Sequence, residues 1–197
     1  MSIRVKRHLQ SVYPDHAEVF ARIPTVRKLR PRDVPLPEAV VRVVTGQMLS
    51  SHVAAVIFER LAQAARERTL AGPWLLDVET LRGCGLSGAK ARTIADFGRA
   101  VGPDPQALRH WHGLDAATLT REIRAYKGMG EWTASIIALA YVGQEDVFPY
   151  GDGSLRRAIE LLRERAGAGG FDPDLAAPYR SYLARYLWRG LDLGMLE

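Results

Sequence analysis

Apolar residues recur at helical spacing along most of the chain. From Leu36, a face of Ala39, Val40, Val43 and Val44 predicts a helix, with Pro37 suited to its first turn. A second helix is predicted from Ser51 to about Arg66, with Val53, Val56, Ile57 and Leu61 inward. Shorter helices follow at Asp77 to Arg82 and at Gly88 to about Ala100, the latter with Ser87 as a natural N-cap. Asp115 caps a helix from Ala116 to Tyr126 whose inward residues are Leu119, Ile123 and Tyr126. Glu131 to Val142 is apolar almost all round, as in a helix buried in a core. A helix from Gly153 to Arg165 turns Leu155, Ile159 and Leu162 inward and Arg156, Arg157 and Arg163 outward. A loop over Gly167 to Gly170 then leads, past Pro178, to a last helix from Tyr179 to about Leu191. Upstream of Leu36, Pro14, Pro24, Pro31 and Pro35 leave room for one short helix near Asp15 to Arg22, with Asp15 as its cap. No stretch alternates as a strand would. The expectation is an all-α fold of about nine or ten helices in two lobes with a cleft between them. Residues 1–35 read as a basic N-terminal extension wrapping a core of residues 36–197, with a hairpin over about 116–142.

One stretch, Gly128 to Asp152, carries most of the chemistry. Its opening, Lys127-Gly128-Met129-Gly130, lies between two predicted helices. Two glycines there permit a tight hairpin and let a ligand approach without side-chain obstruction. The next helix begins near Glu131, so free N–H groups face whatever the hairpin meets. Such a hairpin grips a phosphate backbone and carries no sequence information. A bare GxG between helices is also a common ordinary turn, and a lone aspartate such as Asp152 before a helix is most often an N-cap.

The whole stretch resembles the helix-hairpin-helix DNA glycosylase superfamily, whose hallmark is this hairpin followed by a Gly/Pro-rich loop ending in a catalytic aspartate. It is closest to the bacterial 3-methyladenine DNA glycosylase II branch. The hairpin pattern GxGxWTA is Gly128, Gly130, Trp132, Thr133 and Ala134, and Asp-Val-Phe is Asp146, Val147 and Phe148. The family's GLSxxKAxxI element matches Gly85, Leu86, Ser87, Lys90, Ala91 and Ile94; its C-terminal helix matches Pro178, Arg180, Ser181, Leu187 and Trp188. The resemblance spans roughly residues 36–190. The larger relatives carry an additional β-containing N-terminal domain, which thirty-five residues cannot hold.

The resemblance implies a role for each matched position. Asp152 falls on the catalytic aspartate, and Trp132 and Trp188 on aromatics of the base pocket. Two other pocket positions, aromatic in the best-known relatives, are Ile136 and Gly153 here, which implies a roomier pocket and leaves the lesion range open. The turn Gln47, Met48 and Leu49 falls where the family reaches into the minor groove and plugs the gap left by the extruded base. On residue type alone, Met48 and Leu49 read as core. Lys90 and Arg92 suit either phosphate or a solvated face. Backbone carbonyls at Arg124, Tyr126 and Met129 match a monovalent cation site (Na or K). Bifunctional relatives place a Schiff-base lysine two residues after Gly130, where this chain has Trp132. The implied function is a monofunctional glycosylase that flips 3-methyladenine-type bases from duplex DNA and leaves an abasic site for base excision repair. A glycosylase for a deaminated or oxidised base, and a non-catalytic binder of damaged DNA, stay open beside it.

Composition narrows these readings without choosing among them. With 197 residues, 47% of them hydrophobic, the chain can bury a full core. A formal charge of +5 suits an acidic partner such as nucleic acid. Arginine supplies nearly all the cations, which suits phosphate forks. Cys84 is the only cysteine, which excludes an internal disulfide and the iron–sulfur cluster of some relatives, so no such cofactor is expected. His110 and His112 lack the third ligand a metal needs. The N-terminus has no apolar signal core and no run approaches a membrane span. The expectation is a cytoplasmic bacterial monomer, associated with the nucleoid through double-stranded DNA.

Overall fold

The structure, a computed structural model, describes residues 2–165 and 170–196, so the predicted loop from Gly167 lies outside them up to Gly169. The described residues form α1 (Ser2–Val12), α2 (Ala17–Arg22), α3 (Leu36–Gly46), α4 (Ser51–Glu67) and α5 (Val78–Gly83). Then come α6 (Gly88–Val101), α7 (Ala116–Arg124), α8 (Glu131–Ile137), α9 (Gly153–Arg165) and α10 (Arg180–Asp192). Short 3-10 turns link several of them, and no strand occurs among the described residues. The fold class is all-α, as the periodicity predicts. The chain divides into two compact units, one of Pro31–Val142 and one of Met1–Arg30 with Gly143–Glu197.

In the unit of residues 31–142, α3 is the axis. Leu36, Ala39, Val40, Val41, Val43 and Val44 are all buried, and the helix packs on α4, α6 and α8. Pro37 lies in its first turn as expected. Helices α4, α5, α6 and α7 each begin at a side-chain cap: Ser50, Asp77, Ser87 and Asp115 accept the N–H three residues on. Each cap contributes about 1 kcal/mol and satisfies an otherwise orphaned donor. On α4, Ile57 and Leu61 are buried as predicted, whereas Val53 and Val56 are 43% and 40% exposed. Phe58, Ala64 and Ala65 complete the inward face in their place. The predicted helix Glu131 to Val142 is α-helical to Ile137 and closes in a π-helical turn, Ala138–Val142, buried along most of its length.

In the other unit α10 is the axis, with Tyr182, Leu183, Tyr186 and Leu187 wholly buried and α9 packed against it. The first thirty residues join this unit as structured elements. Helix α1, which the basic, proline-punctuated sequence does not predict, buries Val5 and Leu9 completely. Two apolar anchors one turn apart are too few to register as a stripe among Arg4, Lys6, Arg7 and His8. Lys6 Nζ donates to the Ala21 and Ile23 carbonyls at 2.6 and 2.9 Å, closing the C-terminal end of α2. Asp15, predicted to cap α2, lies instead within the 3-10 turn Pro14–His16, and His16 takes the N-cap position of α2 with no side-chain cap.

Candidate functional site

Asp152 immediately precedes α9. Its Oδ1 accepts the Leu155 N–H at 3.0 Å and the indole N–H of Trp188 at 3.1 Å. The first bond is a helix cap; the second fixes the carboxylate from α10. The carboxylate is half-buried and sits at the positive end of the α9 dipole. The matched tryptophan therefore touches the matched aspartate directly.

The loop that delivers Asp152 is stapled to the first turn of α10. Ser181 N–H donates to the Glu145 carbonyl at 3.0 Å, and its hydroxyl both accepts the Val147 N–H and donates to the Val147 carbonyl, each at 2.9 Å. Arg180 forks onto Asp146 through Nε and Nη2 at 2.8 and 2.9 Å, and its backbone N–H caps the same carboxylate. These hydrogen bonds hold the Asp146 carboxyl below the usual carboxylate range. Arg180 also reaches Asp174, which accepts the Tyr150 hydroxyl. Asp-Val-Phe and Arg-Ser, far apart in sequence, thus form one clamp. One helix holds the loop at its first turn and the carboxylate two turns later. Trp188→Phe, which keeps a ring and removes the N–H, is expected to lower kcat about tenfold or more with KM within a few-fold. Losing a hydrogen bond to a charged group costs about 1.5–3 kcal/mol, and single-turnover kinetics would read the split.

In the unit of residues 31–142, the two hairpin glycines are glycine for different reasons. Gly128 has φ +85°, and an added methyl would sit 2.1 Å from Thr93 Oγ1. Backbone and packing both demand glycine there. Gly130 has ordinary extended backbone (φ −97°, ψ −172°), and an added methyl would meet no described atom within 4 Å. Nothing in the fold requires a glycine at 130; it leaves the approach open. Between them Met129 is buried and anchors the loop, and its N–H donates to the Tyr126 carbonyl at 3.1 Å. Lys127 is exposed.

The turn after α3 is held from both sides. Gln47 Nε2 donates to Thr133 Oγ1 at 3.0 Å and, at 3.5 Å, to the Gly128 carbonyl. Lys90 Nζ donates to the Thr45 and Gln47 carbonyls at 2.9 and 2.5 Å, and burial pushes its ammonium below the ordinary lysine value. Lys90 therefore braces this turn. Met48, carried by the braced turn, is 101% exposed with φ +56°, and Leu49 is 39% exposed. The core reading of both residues is overturned. A non-glycine residue in the left-handed region costs about 1–2 kcal/mol, and here it thrusts an apolar side chain into solvent. Gln47 thereby links this turn to the hairpin, a link the sequence does not reveal, because Thr133 carries no signal beyond its place in the WTA pattern.

Trp132 and Ile136 stand one turn apart on α8, both half-buried, whereas Gly153 is exposed at the start of α9. His110 pairs with Glu122 at 2.8 Å, and Trp111 donates to the same carboxylate at 2.9 Å. Among the described residues no group of three His, Cys, Asp or Glu side chains is placed to hold a metal ion. No described helix is long and apolar enough to cross a membrane.

No family model matches the chain. In sequence it is 26% identical over 165 residues to DNA-3-methyladenine glycosylase 1 of Schizosaccharomyces pombe, covering 77% of this chain and 71% of that protein. In structure it matches the S. pombe 3-methyladenine DNA glycosylase solved with abasic DNA, with a TM-score of 0.78, 21% identity and 98% of each chain covered. It also matches the 3-methyladenine DNA glycosylase of Archaeoglobus fulgidus, with a TM-score of 0.72, 19% identity, and 96% of this chain and 69% of that one covered. The fold is that of the helix-hairpin-helix DNA glycosylases, and the chain's relatives in sequence are DNA-3-methyladenine glycosylases of that type.

Proposed function

We propose that this protein is a monofunctional DNA glycosylase that draws alkylated bases of the 3-methyladenine type out of duplex DNA and hydrolyses their N-glycosidic bond. The observation that carries the reading is the Asp152 carboxylate, held at the start of α9 by the Leu155 N–H and the Trp188 indole. Breaking the C1′–N bond sends its electron pair into the base and leaves positive charge on the deoxyribose. A fixed anion stabilises that charge more in the transition state than in the ground state. Water then adds at C1′ and gives up its proton, with Asp152 placed as the accepting base. A base alkylated at a ring nitrogen is cationic before cleavage and leaves as a neutral molecule once it takes the electron pair, so neither a general acid nor a cofactor is needed.

The remaining residues supply DNA handling. Gly128 and Gly130 open the backbone of the hairpin to a phosphate, and the braced Met48 fills the stack vacated by the flipped base, with Gln47 and Leu49 beside it. The sequence resemblance assigns Trp132 and Trp188 to base stacking, which suits an electron-poor ring, and Ile136 and Gly153, in place of aromatics, to accommodating bulkier adducts. The carbonyls of Arg124, Tyr126 and Met129 would hold a monovalent cation between hairpin and phosphate. The Tyr126 oxygen already accepts the Met129 N–H and keeps a second lone pair for the ion. Such an ion would contribute positive charge facing the phosphate. With a tryptophan at 132 in place of a lysine, no Schiff base forms and the strand is not nicked. The protein acts as a monomer on the bacterial nucleoid in this reading.

The test is base release from methylated duplex DNA, with released bases identified by chromatography and the strand assayed before and after alkali. Release of 3-methyladenine or 7-methylguanine, with breaks only after alkali, is the expected result. Nicking without alkali would refute the assignment of Trp132. Release of deaminated or oxidised bases alone would move the activity to another lesion. No release of any base, with DNA binding retained, would make the chain a binder of damaged DNA.

A further inference from the structure

Beside Asp152's tryptophan lies a basic cavity of about 480 Å³, built within the unit of residues 1–30 and 143–197. Arg185, Trp188 and Arg189 line it from one face of α10, as residues at i, i+3 and i+4 must. Arg27 and Thr25 line it from the chain segment between α2 and α3, and Asp192 closes it. The segment is held in place by its own pattern. Ile23, Val26 and Leu29 are buried, every third residue, while Arg27, Lys28 and Arg30 face solvent. Arg185 Nη1 donates to the Arg27 carbonyl at 2.6 Å and the Tyr182 hydroxyl accepts the Leu29 N–H at 3.2 Å, so the segment is tied along α10.

We propose that this cavity binds a DNA phosphodiester flanking the flipped nucleotide. The inference rests on the glycosylase reading above. The cavity and the carboxylate share Trp188: its N–H holds Asp152 and the residue forms part of the cavity wall. A nucleotide whose C1′ is at Asp152 therefore carries its own phosphates past this wall. Three guanidiniums against one carboxylate leave the cavity net positive, and the planar arginine fork matches phosphate oxygens. The hairpin contacts belong to the unit of residues 31–142; this site gives the unit that carries the catalytic carboxylate its own hold on the strand. Arg185 orders the segment, Arg27 and Arg189 contact the phosphate, and Asp192 weakens the hold and thereby eases product release.

The test uses full-length protein and a duplex bearing a stable abasic analogue, with affinity measured against salt. Each lost phosphate contact reduces the slope of log affinity against log salt by about 0.9. Between about 50 and 200 mM salt, affinity should therefore fall about 3.5-fold less steeply for Arg27→Gln or Arg189→Gln than for wild type. Asp192→Asn should bind roughly 1.5- to 5-fold tighter, a gain that a merely damaged fold would not produce. Replacing single flanking phosphates by uncharged methylphosphonates should weaken wild type at one position, to which Arg189→Gln is already insensitive. Wild type that binds the duplex and releases bases, but shows unchanged slopes in both arginine variants, would overturn this site and leave the glycosylase reading standing. Failure of wild type to bind or release anything would overturn both. Competition by inorganic phosphate at constant ionic strength, with no methylphosphonate position singled out, would reassign the cavity to a free anion and also overturn the proposal.

Discussion

Replacing Asp152 by asparagine is expected to lower base release by about 10²–10³-fold or more while leaving affinity for damaged duplex within a few-fold of wild type. The magnitude is that of removing one preorganised electrostatic stabiliser of a developing charge. The variant is informative because the amide keeps what the fold needs. Asparagine is as good an N-cap as aspartate, so the Leu155 N–H retains an acceptor, and the carbonyl oxygen of the amide can also receive the Trp188 indole. What disappears is the negative charge. Asp152→Ala removes the cap as well and is expected to cost about 1 kcal/mol of stability besides. Thermal melts of both variants beside single-turnover base release separate the two roles. Full activity in the asparagine variant would show that the carboxylate is a cap only and would remove the basis of the proposed mechanism.

The two hairpin glycines should separate in the opposite sense. Gly128→Ala is expected to destabilise the unit of residues 31–142 by about 2–4 kcal/mol, since it adds a left-handed backbone penalty to a steric clash. Thr93 is short and β-branched, and its Cγ2 and Cβ also lie 3.1 and 3.2 Å from the added carbon, so the side chain has little freedom to give way. The melting temperature should fall by roughly 5–15 °C. Gly130→Ala, in contrast, is expected to change stability by less than about 1 kcal/mol, because its backbone is one any residue adopts and the added methyl meets no described neighbour. That methyl would stand where a phosphate approaches, so DNA affinity should drop about tenfold or more. Equal losses of stability in the two variants, or normal DNA binding by Gly130→Ala, would contradict the division of labour between them.

Much of this was legible without coordinates because it is local. Caps at Ser87 and Asp115, Pro37 in a first turn, and the buried stripes of α3, α7 and α9 depend on residues three or four apart. The sequence resemblance likewise singled out Asp152, the hairpin glycines and the turn at Gln47, since short motifs are contiguous by nature. Residue type alone placed Met48 in the core, against the resemblance, because exposure belongs to the assembled fold. Tertiary structure alone decided that Phe58 and not Val53 completes the inward face of α4, since both fit the period equally and only the neighbouring α3 selects between them. Helix α1 was invisible for a related reason: Val5 and Leu9 bury fully only once α1 packs on α2 and on the 3-10 turn Pro173–Ala176. The arrangement of the candidate site has the same origin. Trp188 and Asp152, Arg180 and Asp146, and Gln47 and Thr133 lie between 34 and 86 residues apart. Periodicity and motif spacing extend only a few turns, so no local pattern can state that these side chains meet; packing around α3 and α10 brings them together.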